Sequence, residues 1–252
     1  MTDQNQAALS RLIAAIATPA FAERLTEAAA ARLQPDASAF ILFSRGAAPS
    51  VIVDRLQAAE RGHLYGDYLS GVYLLSPFYR ASQGLTSARA MRVRDVAPHG
   101  FAQSEYYRRY FALIGVTDML GVLLPARGGT AFLSFSRGTG RPRFSTADAA
   151  SVNALLPLLE AALAKHEAIS GPLASSTAAG VARPAAPVRP PGLTAREAEV
   201  VNLILEGHST RAIGERLRIA HETVRVHRRN LYDKLGVSSQ AELFRWFLAS
   251  RA

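Results

Sequence analysis

Two arginines and a valine, Arg225, Val226 and Arg229, lie within four residues of each other in one basic segment. At about 100° per residue of a helix they fall on one side of it, and Val224 and Leu231 fall on the other. A guanidinium can donate to the O6 and N7 atoms of guanine, and valine can contact the methyl group of thymine. These three residues therefore predict direct reading of DNA bases in the major groove.

Such a helix needs a scaffold, and residues 193–248 supply four short amphipathic segments in succession. The first and fourth segments open with capping boxes, the second follows a serine N-cap, and the third runs from about His221 to Leu235. The predicted caps are Thr194 with Glu197, Ser209, and Ser239 with Glu242. Gly207 is expected to end the first helix. This order is typical of a helix-turn-helix domain.

Other polar side chains of this region are placed to contact the DNA backbone, which positions a protein without specifying sequence. The predicted phosphate contacts are Ser209, Thr210, Arg211, Arg228 and Lys234.

Residues 193–248 resemble the C-terminal DNA-binding domain of the LuxR family, also called GerE-like. The matching stretches are LTAREAEV, GHSTRAIGERL, TVRVHRRNLYDKLGV and SSQAEL. The resemblance implies an all-α, four-helix domain in which the positions of Arg225, Val226 and Arg229 face bases. It also implies a homodimer contact through the final helix, for which the predicted residues are Leu243, Trp246 and Phe247.

Three positions depart from the family pattern. Ala212 stands where a glutamate is frequent, Gly214 where alanine is usual, and Arg218 at a turn position where glycine is frequent. Glycine in place of alanine lowers helix propensity by about 1 kcal/mol. No departure removes a predicted base-reading side chain.

Composition excludes several classes of protein. The chain has 252 residues and a net charge of +9, which favours polyanionic partners. It has no cysteine, so disulfides, Cys-ligated zinc and thiol redox chemistry are excluded. No signal-peptide pattern opens the chain, and no apolar run approaches the roughly 20 residues that span a bilayer. We expect a cytoplasmic protein with no membrane partner.

A Pro/Ala-rich stretch divides the chain. Residues 170–192 contain five prolines, three glycines and no aromatic residue, a composition typical of an extended tether. We therefore expect a ligand-sensing and dimerisation domain at 1–169, a linker at 170–192 and the DNA-binding domain at 193–252.

The N-terminal part alternates helical and β-like patterns. The β-like runs lie at 38–44, 50–56, 91–96, 119–126 and 130–137, and Gly128–Gly129 is a hairpin signal. Helical patterns fill the intervals, including a long one over 145–165. Helices flanking a mostly antiparallel sheet predict an α+β fold, an α–β–α sandwich similar to GAF/PAS-like sensory domains.

Seven of the eight tyrosines lie between positions 65 and 110. Such rings can line a pocket that offers stacking, hydrogen bonds and a cage for a cation. The predicted ligand-binding residues are Tyr65, Tyr68, Tyr73, Phe78 and Tyr79. The alternative, that these rings are ordinary core residues, stays open.

The class of effector also stays open. The segment 65–79 loosely resembles the signal-binding motif of quorum-sensing receptors, which bind acyl-homoserine lactones. Ser76–Pro77 stands where that motif has Asp-Pro, and no tryptophan precedes Trp246. A lactone amide would therefore lose its charged acceptor, and lactone sensing is the alternative rather than the leading hypothesis.

An enzymatic N-terminal domain is the alternative from another class. The histidines outside the DNA-binding segment, His63, His99 and His166, lack metal-ligand spacing, and no phosphate-binding glycine loop occurs. No catalytic residue, metal or cofactor is predicted. The sequence favours a homodimeric transcription regulator that reads a short inverted repeat in double-stranded DNA under control of a small molecule. RNA polymerase is a further candidate partner.

Overall fold

A computed structural model describes residues 3–44, 49–69, 72–98, 100–104, 107, 111, 114–173, 192–205, 208–240, 242, 243 and 246. The strands are β1 (Ala37–Ser44), β2 (Ser50–Arg55), β3 (Arg89–Arg92), β4 (Val116–Ala126) and β5 (Gly129–Gly138). The helices before the predicted linker are α1 (Asp3–Ala14), α2 (Phe21–Ala30), α3 (Ala58–His63), α4 (Pro77–Ser82), α5 (Val93–Val96), α6 (Thr146–Asn153) and α7 (Leu156–Ser170). This part also contains a π-helical turn (Leu64–Tyr68) and two 3-10 turns (Val72–Leu75 and Phe101–Gln103).

The five strands form one sheet in the order β2-β1-β5-β4-β3, and every pairing is antiparallel. β5 lies at the centre because it pairs with β1 on one side and β4 on the other. The β4–β5 hairpin turns at Gly128, whose φ of +82° suits glycine. The hairpin predicted from Gly128–Gly129 is confirmed.

Each face of the sheet is covered by helices. Successive side chains of β5 point to opposite faces, so Leu133 and Phe135 pack under α1, α2, α6 and α7. Phe132 packs on the other face with residues of α4, α5 and the short turns. The predicted α+β sandwich with a mostly antiparallel sheet is therefore confirmed.

Two predicted elements are divided in the structure. The β-like run 91–96 ends as a strand at Arg92 and continues as α5, because Asp95 accepts from the Arg92 amide at 3.1 Å and caps a helical turn. The long helical pattern over 145–165 becomes α6 and α7, which meet at an angle of 45°. Pro157 near the start of α7 explains this break, since proline cannot continue a preceding helix.

Among the described residues, no single helix has both the length and the apolar character to cross a membrane. The bent pair α6 and α7 has them only when taken together.

The C-terminal part contains α8 (Ala195–Leu205), α9 (Thr210–Leu217) and α10 (His221–Leu235). Gln240, Glu242, Leu243 and Trp246 are also helical, at the position of the predicted fourth helix. Gly207 and most of the predicted linker, residues 174–191, lie outside the described residues.

Candidate nucleic-acid interface and sensory cavity

The C-terminal helices share one apolar core, formed by Leu193, Val200, Val201, Leu203, Ile204, Ile213, Val224, Leu231 and Leu243. The predicted caps position these helices. Glu197 accepts from the Thr194 amide at 2.8 Å, and Ser209 accepts from the Ala212 amide at 3.2 Å. Ser239 accepts from the Glu242 amide at 3.1 Å.

The second capping box is only half formed. The Glu242 carboxylate accepts from the Ser238 amide at 2.6 Å, and so returns to Ser238 instead of Ser239.

Two departures from the family pattern lie at the turn between α9 and α10, and the geometry accounts for the one at Gly214. Arg218 has φ 53° and ψ 46°, the left-handed conformation that favours glycine. A Cβ on Gly214 would lie 2.8 Å from the Ile219 carbonyl oxygen. Glycine at 214 thus lets the turn pass close to α9, while arginine at 218 adopts a strained conformation.

The predicted base-reading side chains lie on one exposed face of α10. Val226 is 56% exposed, the Arg225 side chain is 66% exposed, and Arg229 is also exposed. Arg225 donates to Glu222 at 2.9 Å. On the opposite face Val224 and Leu231 are fully buried. The helix thus presents two guanidinium groups and an apolar side chain while its other side is packed.

The predicted phosphate contacts have different surroundings. Arg211 is 85% exposed beside the start of α9 and pairs with Glu215 at 3.0 Å. Arg228 is half-buried and donates to the Thr210 hydroxyl and the Tyr232 hydroxyl, each at 3.1 Å, so it ties α10 to α9. The Ser209 hydroxyl is engaged in capping α9.

Lys234 contacts a buried carboxylate. Its ammonium lies 2.8 and 3.0 Å from the two oxygens of Glu197, whose side chain is only 5% exposed. This ammonium, together with the amide and hydroxyl of Thr194, lowers the pKa of Glu197 to about 2. A charge buried in this way needs a partner, so Lys234 stabilises the packing of α10 against α8.

The predicted dimer residues differ in how far they are exposed to solvent. Leu243 is completely buried in the core of the C-terminal helices, whereas Trp246 retains partial exposure. Phe247 lies outside the described residues. Of the two described residues of this trio, Trp246 is the more exposed.

A narrow space that is partly open to solvent, here called the sheet cavity, lies between the sheet and the layer of α3, α4 and the short turns. Its volume is about 50 Å³. Its walls include Glu60, Tyr68, Ser76, Phe78, Phe111, Phe132 and Ser136. The Phe78 and Phe132 rings stack with centroids 5.1 Å apart. Gly121 permits this packing, because a Cβ there would lie 2.5 Å from the Phe78 ring.

The five predicted ligand-binding residues occupy three settings. Tyr68 and Phe78 line the sheet cavity. Tyr73 and Tyr79 are buried outside the cavity lining with ring centroids 4.9 Å apart, and burial raises the pKa of the Tyr73 phenol. Tyr65 is 51% exposed and outside the cavity.

Sequence reasoning missed Glu60, Ser134 and Ser136 as cavity residues. Ser134 and Ser136 could have been found, because they alternate with Leu133 and Phe135 along β5 and so share a face with Phe132. No sequence pattern marks Glu60 as a cavity residue, because its partner Ser136 lies 76 residues away along the chain.

Known proteins match this chain in both parts. Residues 191–247 match the family described as bacterial regulatory proteins, luxR family. An HTH-type transcriptional regulator from the exeN 3′ region of Aeromonas salmonicida is 33% identical over 182 residues, covering 68% of this chain and 92% of that protein. The transcriptional regulatory protein NarL of Mycobacterium tuberculosis is 33% identical over 120 residues. The match covers 48% of this chain and 55% of the NarL chain.

Among solved structures, the VqsR LBD domain from Pseudomonas aeruginosa superimposes with a TM-score of 0.54 at 24% identity, covering 67% of this chain and 99% of that one. This likeness concerns the fold. The family assignment rests on the sequence matches and on the packed helix-turn-helix. The chain therefore belongs to the luxR family of bacterial regulatory proteins and is a DNA-binding transcriptional regulator.

Proposed function

We propose that the protein is a homodimer that reads a short inverted repeat through α10 and is controlled by a small molecule bound in the sheet cavity. The domains would be a sensing and dimerisation domain at 1–169, a linker at 170–192 and the DNA-binding domain at 193–252. Its place of action would be the cytoplasm, where the DNA is, with RNA polymerase as a further partner at promoters.

The observation that carries the DNA-reading proposal is the exposed stripe of Arg225, Val226 and Arg229 on a helix whose other face is buried. A bidentate arginine–guanine contact contributes about 1–3 kcal/mol of discrimination between bases. Arg211, beside the start of α9, would bind phosphate and position α10. Arg228 would support both helices through Thr210.

The test is a selection of bound sequences from a random DNA pool with the full chain. Arg225→Ala and Arg229→Ala should each relax preference at one position of every half-site. Arg89→Ala, which removes an exposed arginine from β3, is the matched control and should leave the selected sequence unchanged. A uniform loss of affinity across all sequences in both variants would contradict base reading.

Control by a small molecule is supported by a cavity with aromatic rings and polar groups in its walls, a lining typical of ligand sites. The solved relative with a shared fold is itself named as an LBD domain. An effector must bind one DNA-binding state more tightly than the other, since equal affinity shifts nothing. Compounds that raise the thermal stability of the full chain should therefore also change its operator affinity.

Acyl-homoserine lactones form a second candidate class of effector. Ser76 lies in the cavity wall, so a lactone amide would meet a hydroxyl there. We place no enzymatic activity in the N-terminal domain.

A further inference from the structure

Glu60 is a buried carboxylate in the wall of the sheet cavity. The residue is 8% exposed. One oxygen accepts from the Ser136 hydroxyl at 2.8 Å, and the other accepts from the Gln57 amide at 3.1 Å. A carboxylate has about four acceptor positions, so these two neutral donors leave room for more.

Two of the three other buried carboxylates among the described residues show what Glu60 lacks, whereas the third, Glu167, accepts from the Arg127 backbone amide. Asp118 accepts from the Arg94 guanidinium at 2.9 Å, and Glu197 from the Lys234 ammonium at 2.8 Å. Glu60 has no such cation among the residues that the structure describes. Arg61, its neighbour in α3, donates instead to Asp54 at 2.8 Å.

The described residues of the cavity walls also lack a positive charge that could pair with Glu60. Of the wall residues within the described ranges, none is Lys, Arg or His. The rings of Tyr68, Phe78, Phe111 and Phe132 present aromatic surface, which attracts a cation through its quadrupole. A buried carboxylate without a cation is costly, and a positively charged ligand removes that cost.

We propose, given that the sheet cavity is the effector site, that the effector carries a protonated amine that binds Glu60. The ammonium donates to the free positions of the carboxylate and to nearby serine hydroxyls, while an apolar body lies against the rings. The cavity of about 50 Å³ admits a small cationic head, and a larger body of the ligand extends through its open side. Glu60 is therefore the residue that selects the charge of the ligand.

The test measures binding of three probes of similar shape to the full chain by isothermal titration calorimetry. These are 2-phenylethylammonium, 2-phenylethanol and phenylacetate. The ammonium should bind about tenfold or more tightly than the alcohol, and phenylacetate should bind most weakly. Equal binding of the ammonium and the alcohol, or no binding of the ammonium, would overturn the proposal.

Glu60→Gln separates charge from structure. Glutamine at this position also closes a capping box and keeps the size of the side chain, so α3 should stay folded. The variant should lose the preference for ammonium over alcohol and leave binding of the alcohol unchanged. The matched control is Glu167→Gln, a buried glutamate on the other face of the sheet that accepts from the Arg127 amide at 3.0 Å. It should keep the preference, and a preference that survives in Glu60→Gln would refute the role of Glu60.

Operator affinity separates this inference from effector control itself. If N-octanoyl homoserine lactone changes operator affinity and the ammonium probe does not bind, effector control stands and the charge inference is wrong. If the ammonium binds through Glu60 and no cavity ligand changes operator affinity, the charge inference stands and effector control is wrong.

Discussion

Lys234→Met should destabilise the DNA-binding domain by removing the cation beside Glu197 while keeping an unbranched apolar stem. The lowering of the Glu197 pKa from 4.5 to about 2 corresponds to about 3 kcal/mol in favour of the charged carboxyl. Thr194 supplies part of this through two hydrogen bonds that the variant retains. Lys234 makes the largest contribution to the lowered pKa of Glu197. Its side chain is 41% exposed, so solvent screening reduces the free energy that the ion pair contributes. We expect a loss of about 1–2 kcal/mol at neutral pH.

The assay is urea unfolding of the full chain followed by tryptophan fluorescence. Trp246 is the only tryptophan in the chain, so the signal reports on the C-terminal helices. With a slope of about 1–2 kcal/mol per molar urea, the expected loss lowers the midpoint by about 1 M. The matched control is Lys165→Met at the other lysine of the chain, which is exposed, and it should leave the midpoint unchanged.

The pH dependence distinguishes charge from packing. Because the folded pKa of Glu197 is lowered, its contribution to stability is present above about pH 4.5 and is lost as the pH falls toward 2. In Lys234→Met the pKa returns toward 4.5, so the gap in stability between wild type and variant should shrink over that range. A gap that stays constant from pH 7 to pH 3 would refute the ion-pair explanation, and no gap at pH 7 would refute the contact itself.

Three further changes test other parts of the structure. Arg211→Ala should reduce the slope of log affinity against log salt by about one, measured by fluorescence anisotropy on operator DNA, and an unchanged slope would exclude a phosphate contact. Arg218→Gly should stabilise the C-terminal helices by about 0.5–1 kcal/mol in the tryptophan assay, because it relieves a left-handed arginine; lower stability would contradict the turn geometry. Tyr73→Ala should destabilise the N-terminal part by about 3–5 kcal/mol, because Tyr73 is 1% exposed. An unchanged thermal midpoint by circular dichroism would place that ring outside the core.

The helix-turn-helix was predictable because its signals are local. Caps such as Thr194–Glu197 act over three residues, and the apolar spacing of α10 follows from the helical repeat alone. The hairpin at Gly128 is local in the same sense, since a tight turn is set by the conformations of its own residues. Where local patterns were short, as at 91–96, a single capping contact from Asp95 changed strand into helix.

The sequence by itself determined the family, the α+β class of the N-terminal part and which side of α10 is polar. Only the tertiary structure decided which charged side chains meet. The sequence predicts a phosphate contact for Lys234, and the packing of α10 on α8 places its ammonium beside Glu197. Glu60 has no distinguishing sequence pattern, and the fold places it beside Ser136 of β5. The physical reason is that the cost of a buried charge depends on neighbours that the fold brings from distant parts of the chain.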